Sequence, residues 1–231
     1  MLRARDADVR EMMDEPQVDA GALRHSLRDL RRINGLLGWR RMVVRTVART
    51  VEARGSRGSF SLVDVASGSG DMPLAVARWA RRRGITARIV VTDVNPEIVM
   101  AARAFLAETP GIAAERQDAL ALSYPDGSFD IALCTLALHH FAPDDAVGVL
   151  REMGRVGRQV LVFDLVRSPL AFVGAVVLTH LPGMEAMTGH DGPASVRRAY
   201  TAPELRELAR QAGLRDGRVS VRFPFRLTLE A

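Results

Sequence analysis

Lysine is absent from the 231 residues, and all 32 basic side chains are arginine. A lysine Schiff base is therefore excluded, and the wealth of arginine, alanine, glycine and valine fits a GC-rich coding sequence. Cysteine occurs once, at Cys134, so neither an internal disulfide nor a cysteine-rich zinc site can form. Its place inside an apolar run predicts an inert, packed thiol. The opening MLRARDADVREMMDE lacks the apolar core of a signal peptide, which argues for a cytoplasmic protein. The apolar run Leu170 to Leu181 is too short to span a bilayer, leaving only peripheral membrane contact open. No collagen-like, coiled-coil or repeat pattern is present.

What is there begins with SLVDVASGSGD, Ser61 to Asp71. Leu62, Val63 and Val65 suit a buried strand, and Gly68 and Gly70 let the chain turn sharply and approach a ligand. MPLAVARWARRR then has helical spacing up to Gly84. A dinucleotide site would place a third glycine where Pro73 stands. The segment instead fits D-x-x-x-G-x-G, read as Asp64, Gly68 and Gly70, the first motif of class I S-adenosylmethionine (SAM) methyltransferases.

Two further strand ends support this. Ala87 to Thr92 reads as a second strand ending in Asp93, with Asn95 as N-cap and Pro96 at the first helical position. Asp93 follows the glycines by about 20 residues, the distance at which an acidic side chain can accept ribose hydroxyls; capping or turn formation is its other role. Asp118 follows the strand-like AAERQ, and Phe129 to Thr135 forms a fourth strand after the Pro125, Asp126, Gly127 turn.

From Phe60 almost to Ala231 the chain resembles the class I SAM methyltransferases. VDVASGSGD and the upstream RINGLLGWRR are most similar to the ubiquinone and menaquinone methyltransferase group and to small-molecule methyltransferases of polyketide pathways, hence of secondary metabolism. The resemblance implies a Rossmann-like α/β fold whose mixed seven-stranded sheet has an antiparallel last strand. It implies that Asp64, Ala66, Gly68 and Gly70 hold the methionyl end of SAM and that Asp93 with Val94 takes the ribose. Asp118 and Ala119 border the adenine, and Thr135 lies at the end of the fourth strand. Ala66 stands where many members carry glycine. Asp71 either meets the amino end of SAM or supplies charge at a helix N-terminus.

The chain divides into an N-terminal helical lid region, 1–55, joined through the GSRG turn to a SAM-binding domain, 56–231. Helices are expected over Ala142 to Met153 and Pro203 to Ala212, the latter with the capping-box pair Thr201 and Glu204. A fifth strand is expected over Gln159 to Val166, and a terminal pair around Pro224. The insertion 168–200 is either a substrate lid or a helix packed on the core. As a lid, it would line an acceptor pocket with Phe172, Val176 and Met184 and meet acceptor oxygen with Arg198 or Tyr200.

The net charge of +5 raises the question of nucleic acid. The arginines recur at helical spacing as solvated faces, and THR-LEU-ALA-LEU at 135–138 replaces the N/D-P-P-Y/F motif of base-amine methyltransferases, so nucleic acid is disfavoured. No acidic and amide ligand cluster follows the fourth strand, and no metal site is expected.

The reaction expected is SAM-dependent O-methylation of a hydrophobic aromatic acceptor, phenolic or polyketide-like. Alternatives are C-methylation of a quinol and a non-catalytic SAM-binding accessory protein. A phenol, with a pKa of about 10, needs its proton taken up. His140, His139 and His190 are the candidate bases, with His140 preferred. An extended backbone would send His139 and His140 to opposite sides. The oligomeric state is not specified.

Overall fold

A computed structural model describes residues 4–6, 8–15, 18–55 and 58–231. Seven strands form one sheet: β1 Ser59–Asp64, β2 Thr86–Asp93, β3 Ile112–Arg116, β4 Ile131–Thr135, β5 Val160–Leu165, β6 Arg218–Arg222 and β7 Arg226–Glu230. Their order is β3-β2-β1-β4-β5-β7-β6. β1 to β5 pair in parallel, and β7 runs antiparallel to both β5 and β6. The chain order reverses between β1 and β4, and ligands of such sheets bind beyond the carboxyl ends of the strands at that reversal.

The central strands read as continuous apolar runs because both faces are covered. Leu62, Ile131, Leu133 and Phe163 pack on one face with α2 (Trp39–Ala53) and α3 (Asp71–Arg82). Val63, Ala132, Cys134 and Val162 pack on the other with α5 (Pro143–Val156) and α8 (Ala202–Gln211). Cys134 is fully buried, and burial pushes its thiol well up, as an inert packed cysteine requires. The capping box of Thr201 and Glu204 is present, and Asn95 caps α4 (Pro96–Leu106) with Pro96 at its first turn.

The N-terminal region does not behave as one lid. α2 contributes Trp39, Val43, Val47 and Val51 to the sheet's own core, so only α1 (Ala20–Leu36) and the segment before it serve as a cover. Two helices, α6 (Pro169–Thr179) and α7 (Ala186–Arg198), form the insertion and pack on each other. α7 also contacts α1, closing a roof over the strand ends. The GSRG connector includes residues 56–57, which lie outside the described residues. Among the described residues, no helix is long and apolar enough to cross a membrane.

Candidate active site

The β1 turn owes its shape to backbone geometry. Ala66 has φ 52° and Gly70 φ 72°. Glycine adopts this left-handed region freely, whereas an L side chain pays about 1–2 kcal/mol, which gives the common glycine at the Ala66 position its physical reason. At Gly70 a Cβ would also sit 3.0 Å from Leu106 Cδ1. Ser67 donates its hydroxyl to the Asp64 carboxylate, and its N–H donates to Thr92 O at 2.8 Å. The turn is thus stitched to both β1 and β2.

Asp93 ties the next loop to it. Gly68 N–H donates to Asp93 Oδ2 at 3.2 Å and Asn95 N–H to Oδ1 at 3.0 Å. Burial raises the Asp93 pKa, and these two N–H donors offset part of the rise. Asp64 is buried more completely, and desolvation pushes it to about 8 despite the Ser67 hydrogen bond. Its carboxyl is therefore largely protonated at neutral pH.

Asp71 opens α3 and lines the cavity. Its carboxylate is engaged by both N-terminal helices: Arg40 of α2 donates Nε at 3.0 Å, and Asn34 Nδ2 of α1 lies 3.4 Å away. It locks the N-terminal helices onto the cofactor turn, a role beyond the two read from the sequence.

His139 and His140 occupy a short 3-10 turn, Leu138–His140, rather than an extended backbone. The expected opposite orientations are corrected accordingly: the rings lie 4.4 Å apart at 31°, and both line the cavity. Asp164, from β5, accepts from the His139 backbone N–H at 3.0 Å and holds its Nδ1 at 2.7 Å. Asp14 holds Nδ1 of His140 at 2.9 Å. Burial lowers the His140 pKa, but Glu11 and Asp14 outweigh it and raise it to about 9. These carboxylates favour the protonated imidazole of His140, whereas His139 Nε2 faces a carboxylate only at 3.7 Å. Leu136, just before this turn, is held at φ 55° at the cavity wall.

A single cavity of about 670 Å³ joins these groups, within the range of small-molecule sites. Ala66, Gly68, Asp71, Asp93, Val94 and Thr135 line it. Asp64 and Gly70 lie buried behind the wall. Asp118 is exposed on its loop and Ala119 packs in the core, so neither reaches the wall as described.

The acceptor side requires more correction. His190 is exposed on α7, beside Asp191 at 2.9 Å, and lies outside the cavity lining. Phe172, Val176 and Met184 also lie outside it. α6 instead presents Ala171, Gly174, Ala175 and Leu178 to the cavity, one stripe at helical spacing. Arg198 pairs with Asp14 at 3.1 Å, and Tyr200 donates its hydroxyl to Phe141 O at 2.7 Å. Both brace the histidine turn from behind. Glu11, Asp14 and Asn34 were not singled out in the sequence; the acidic EMMDE stretch read only as charged N-terminal chain.

The relatives agree with this geometry. Residues 62–159 match the model of a methyltransferase domain. The chain is 30% identical over 193 residues to the demethylmenaquinone methyltransferase of Thermus thermophilus, covering 77% of this chain and 81% of the relative. It is 28% identical over 181 residues to the ubiquinone/menaquinone biosynthesis C-methyltransferase UbiE of Hahella chejuensis, covering 71% of each. In fold it is similar to a SAM-dependent methyltransferase from Aquifex aeolicus, with TM-score 0.57, 14% identity, and 80% and 87% of the two chains covered. Magnesium protoporphyrin IX methyltransferase from Synechocystis with bound SAH is similar too, with TM-score 0.55, 17% identity, and 84% and 82% covered.

The residues present suit SAM itself. Thr135 Oγ1 is buried in the cavity wall without a hydrogen-bond partner among the described residues, and Asp93 and the 66–69 turn line the same space. A wall that fits the cofactor, at the strand-order reversal of a seven-stranded sheet, thus coincides with 30% identity to a SAM enzyme over most of both chains: this chain belongs to the class I SAM-dependent methyltransferases and is an enzyme of that family.

Proposed function

We propose that the enzyme methylates a ring carbon of a hydrophobic quinol, a dihydroxylated aromatic. The observation that carries this reading is a cavity with largely apolar walls from α1 and α6 and one polar corner, where His139, His140 and Glu11 meet. An apolar aromatic body with hydroxyls at one end matches such a space. The curated relatives, a demethylmenaquinone methyltransferase and a C-methyltransferase, favour carbon over the oxygen expected from sequence.

SAM supplies an activated methyl group on a sulfonium. Asp93, the 66–69 turn and Thr135 hold that cofactor at the carboxyl ends of β1, β2 and β4. His139 is oriented for proton uptake: Asp164 fixes its Nδ1, and Nε2, buried at the cavity wall, has no hydrogen-bond partner among the described residues. Loss of a hydroxyl proton to Nε2 makes the ring carbon ortho to that oxygen a nucleophile. A carbon–carbon bond forms as the carbon–sulfur bond breaks; the ring carbon then sheds its hydrogen as a proton, and the oxygen regains one. One proton is released overall. The roof of α1, α6 and α7 excludes water and aligns the ring.

The test is incubation with SAM and a reduced naphthoquinol, followed by mass fragmentation of the product. A methyl group that survives on the ring after reoxidation to the quinone supports the reading. A methoxy product would assign oxygen instead, and absence of transfer to any phenol or quinol would overturn the aromatic acceptor.

A further inference from the structure

Glu11 and His139 are 1% and 2% exposed, and each buries a polar atom that the described residues leave without a partner: Glu11 Oε1 and His139 Nε2. These atoms lie 3.7 Å apart, too far for a hydrogen bond, and Glu11 Oε2 lies 3.7 Å from His140 Nε2. One ligating atom from each of the three residues falls within a 4.8 Å cluster.

Both rings turn Nε2 toward the Glu11 carboxylate, and carboxylates hold them from behind, Asp164 on His139 and Asp14 on His140. That arrangement fixes the imidazole tautomer and raises donor strength in metal sites. The neighbouring cation, Arg198, lies 3.8 Å from Glu11 Oε1 but is engaged by Asp14 at 3.1 Å. Ser195 Oγ donates to Glu11 Oε2 at 2.9 Å, which orients the carboxylate.

We propose that Glu11, His139 and His140 bind a divalent transition-metal cation at the polar corner of the cavity, the cation displacing the proton that Glu11 and Asp14 favour on His140. Metal–ligand bonds of about 2.1 Å bridge ligand atoms up to about 4.2 Å apart, so each 3.7 Å pair can share one cation, Oε1 with His139 and Oε2 with His140. Two imidazoles and one carboxylate form the donor set of open zinc and iron sites. All three residues line the cavity, so the remaining coordination position faces the acceptor space and takes water or a hydroxyl oxygen. For the hydroxyl this rests on the quinol reading; cation binding does not. Once bound, the cation would occupy His139 Nε2 and lower the pKa of the acceptor hydroxyl, whose proton would leave to solvent as the one proton released overall. The proposed cation site departs from the sequence-based expectation of no metal site, because Glu11 reaches the histidines only through folding.

The test uses the full-length protein, stripped with chelator and titrated with Co2+ while its visible d–d absorption is followed. The expected result is a saturable band equivalent to one cobalt per chain, erased by Zn2+. Glu11→Gln and His139→Gln should each weaken Co2+ binding at least about 100-fold, and Asp164→Asn about 10- to 100-fold. His25→Gln, on an exposed ring, should leave it unchanged. Thermal unfolding and SAM titration confirm that each variant is folded. No saturable band, or wild-type cobalt affinity in both Glu11→Gln and His139→Gln, overturns the site. Quinol methylation by stripped protein at the metal-loaded rate would overturn the cation's part in ionising the acceptor while leaving the quinol reading standing; a cobalt site without quinol methylation would do the reverse.

Discussion

Arg40 Nε lies 3.0 Å from Asp71 Oδ2, joining the start of α2 to the first residue of α3 across the cofactor turn. The pair ties α2, a helix of the sheet's own core, to the helix that opens after the cofactor turn. Arg40→Ala should lower stability by only about 1 kcal/mol, because the guanidinium is partly solvated. It should weaken SAM binding several-fold, since the turn loses its brace. Thermal unfolding and calorimetry separate the two effects; unchanged SAM affinity would make the pair purely structural.

Asp93→Ala should cost about 1.5–3 kcal/mol of SAM binding, roughly ten- to a hundredfold in affinity. Burial raises the pKa of this carboxyl, so the ionised form that accepts ribose hydroxyls is lost at a higher pH than for a free aspartate. SAM affinity should therefore decline on acidification before the ordinary Asp range is reached. Calorimetry across pH reads this directly, and the decline should vanish in Asp93→Ala.

Replacing His139 by glutamine should slow methyl transfer on the order of a hundredfold with SAM affinity preserved. His190→Gln should leave transfer unchanged, because that ring lies outside the cavity. Single-turnover rates under saturating SAM provide the comparison. Equal rates for wild type and His139→Gln would remove His139 from the chemistry.

Gly174 faces the cavity from within α6, and a Cβ there meets nothing within 4 Å. Gly174→Val should keep the fold and reduce acceptor affinity by about 1–3 kcal/mol as the side chain fills the pocket. Phe172→Ala, on a helix flank outside the lining, should affect acceptor binding far less. Acceptor titration of SAM-loaded protein distinguishes the wall described here from the one anticipated by sequence.

Ala66→Gly should relieve left-handed strain and raise stability by up to about 1 kcal/mol, less the backbone entropy that glycine adds to the unfolded chain. A melting temperature below wild type would show that the turn carries no such strain.

The strand, turn and helix of each parallel unit were legible in the sequence because their signals are local. Apolar runs specify buried strands, Asn95 and Pro96 start a helix within two residues, and Gly68 and Gly70 mark backbone that other residues adopt only with strain. The boundaries of β2 and α8, and the start of α4, accordingly fall within a residue or two of those read from the chain. The same locality placed Asp93 and Thr135 at the strand ends that line the cavity.

Tertiary structure decided the rest. α6 is apolar on every side, so periodicity could not choose between the stripe of Phe172 and Val176 and that of Ala171, Gly174 and Leu178; packing against α7 made the choice. The 3-10 turn at Leu138–His140 brought two side chains together that an extended strand would have parted. Glu11 and Asp14 meet the histidines from the far end of the sequence, and their carboxylates set the charge of His140. Such contacts depend on which surfaces folding juxtaposes, and no local spacing encodes them, whereas the cofactor turn is written in adjacent residues because its demands on the backbone are local.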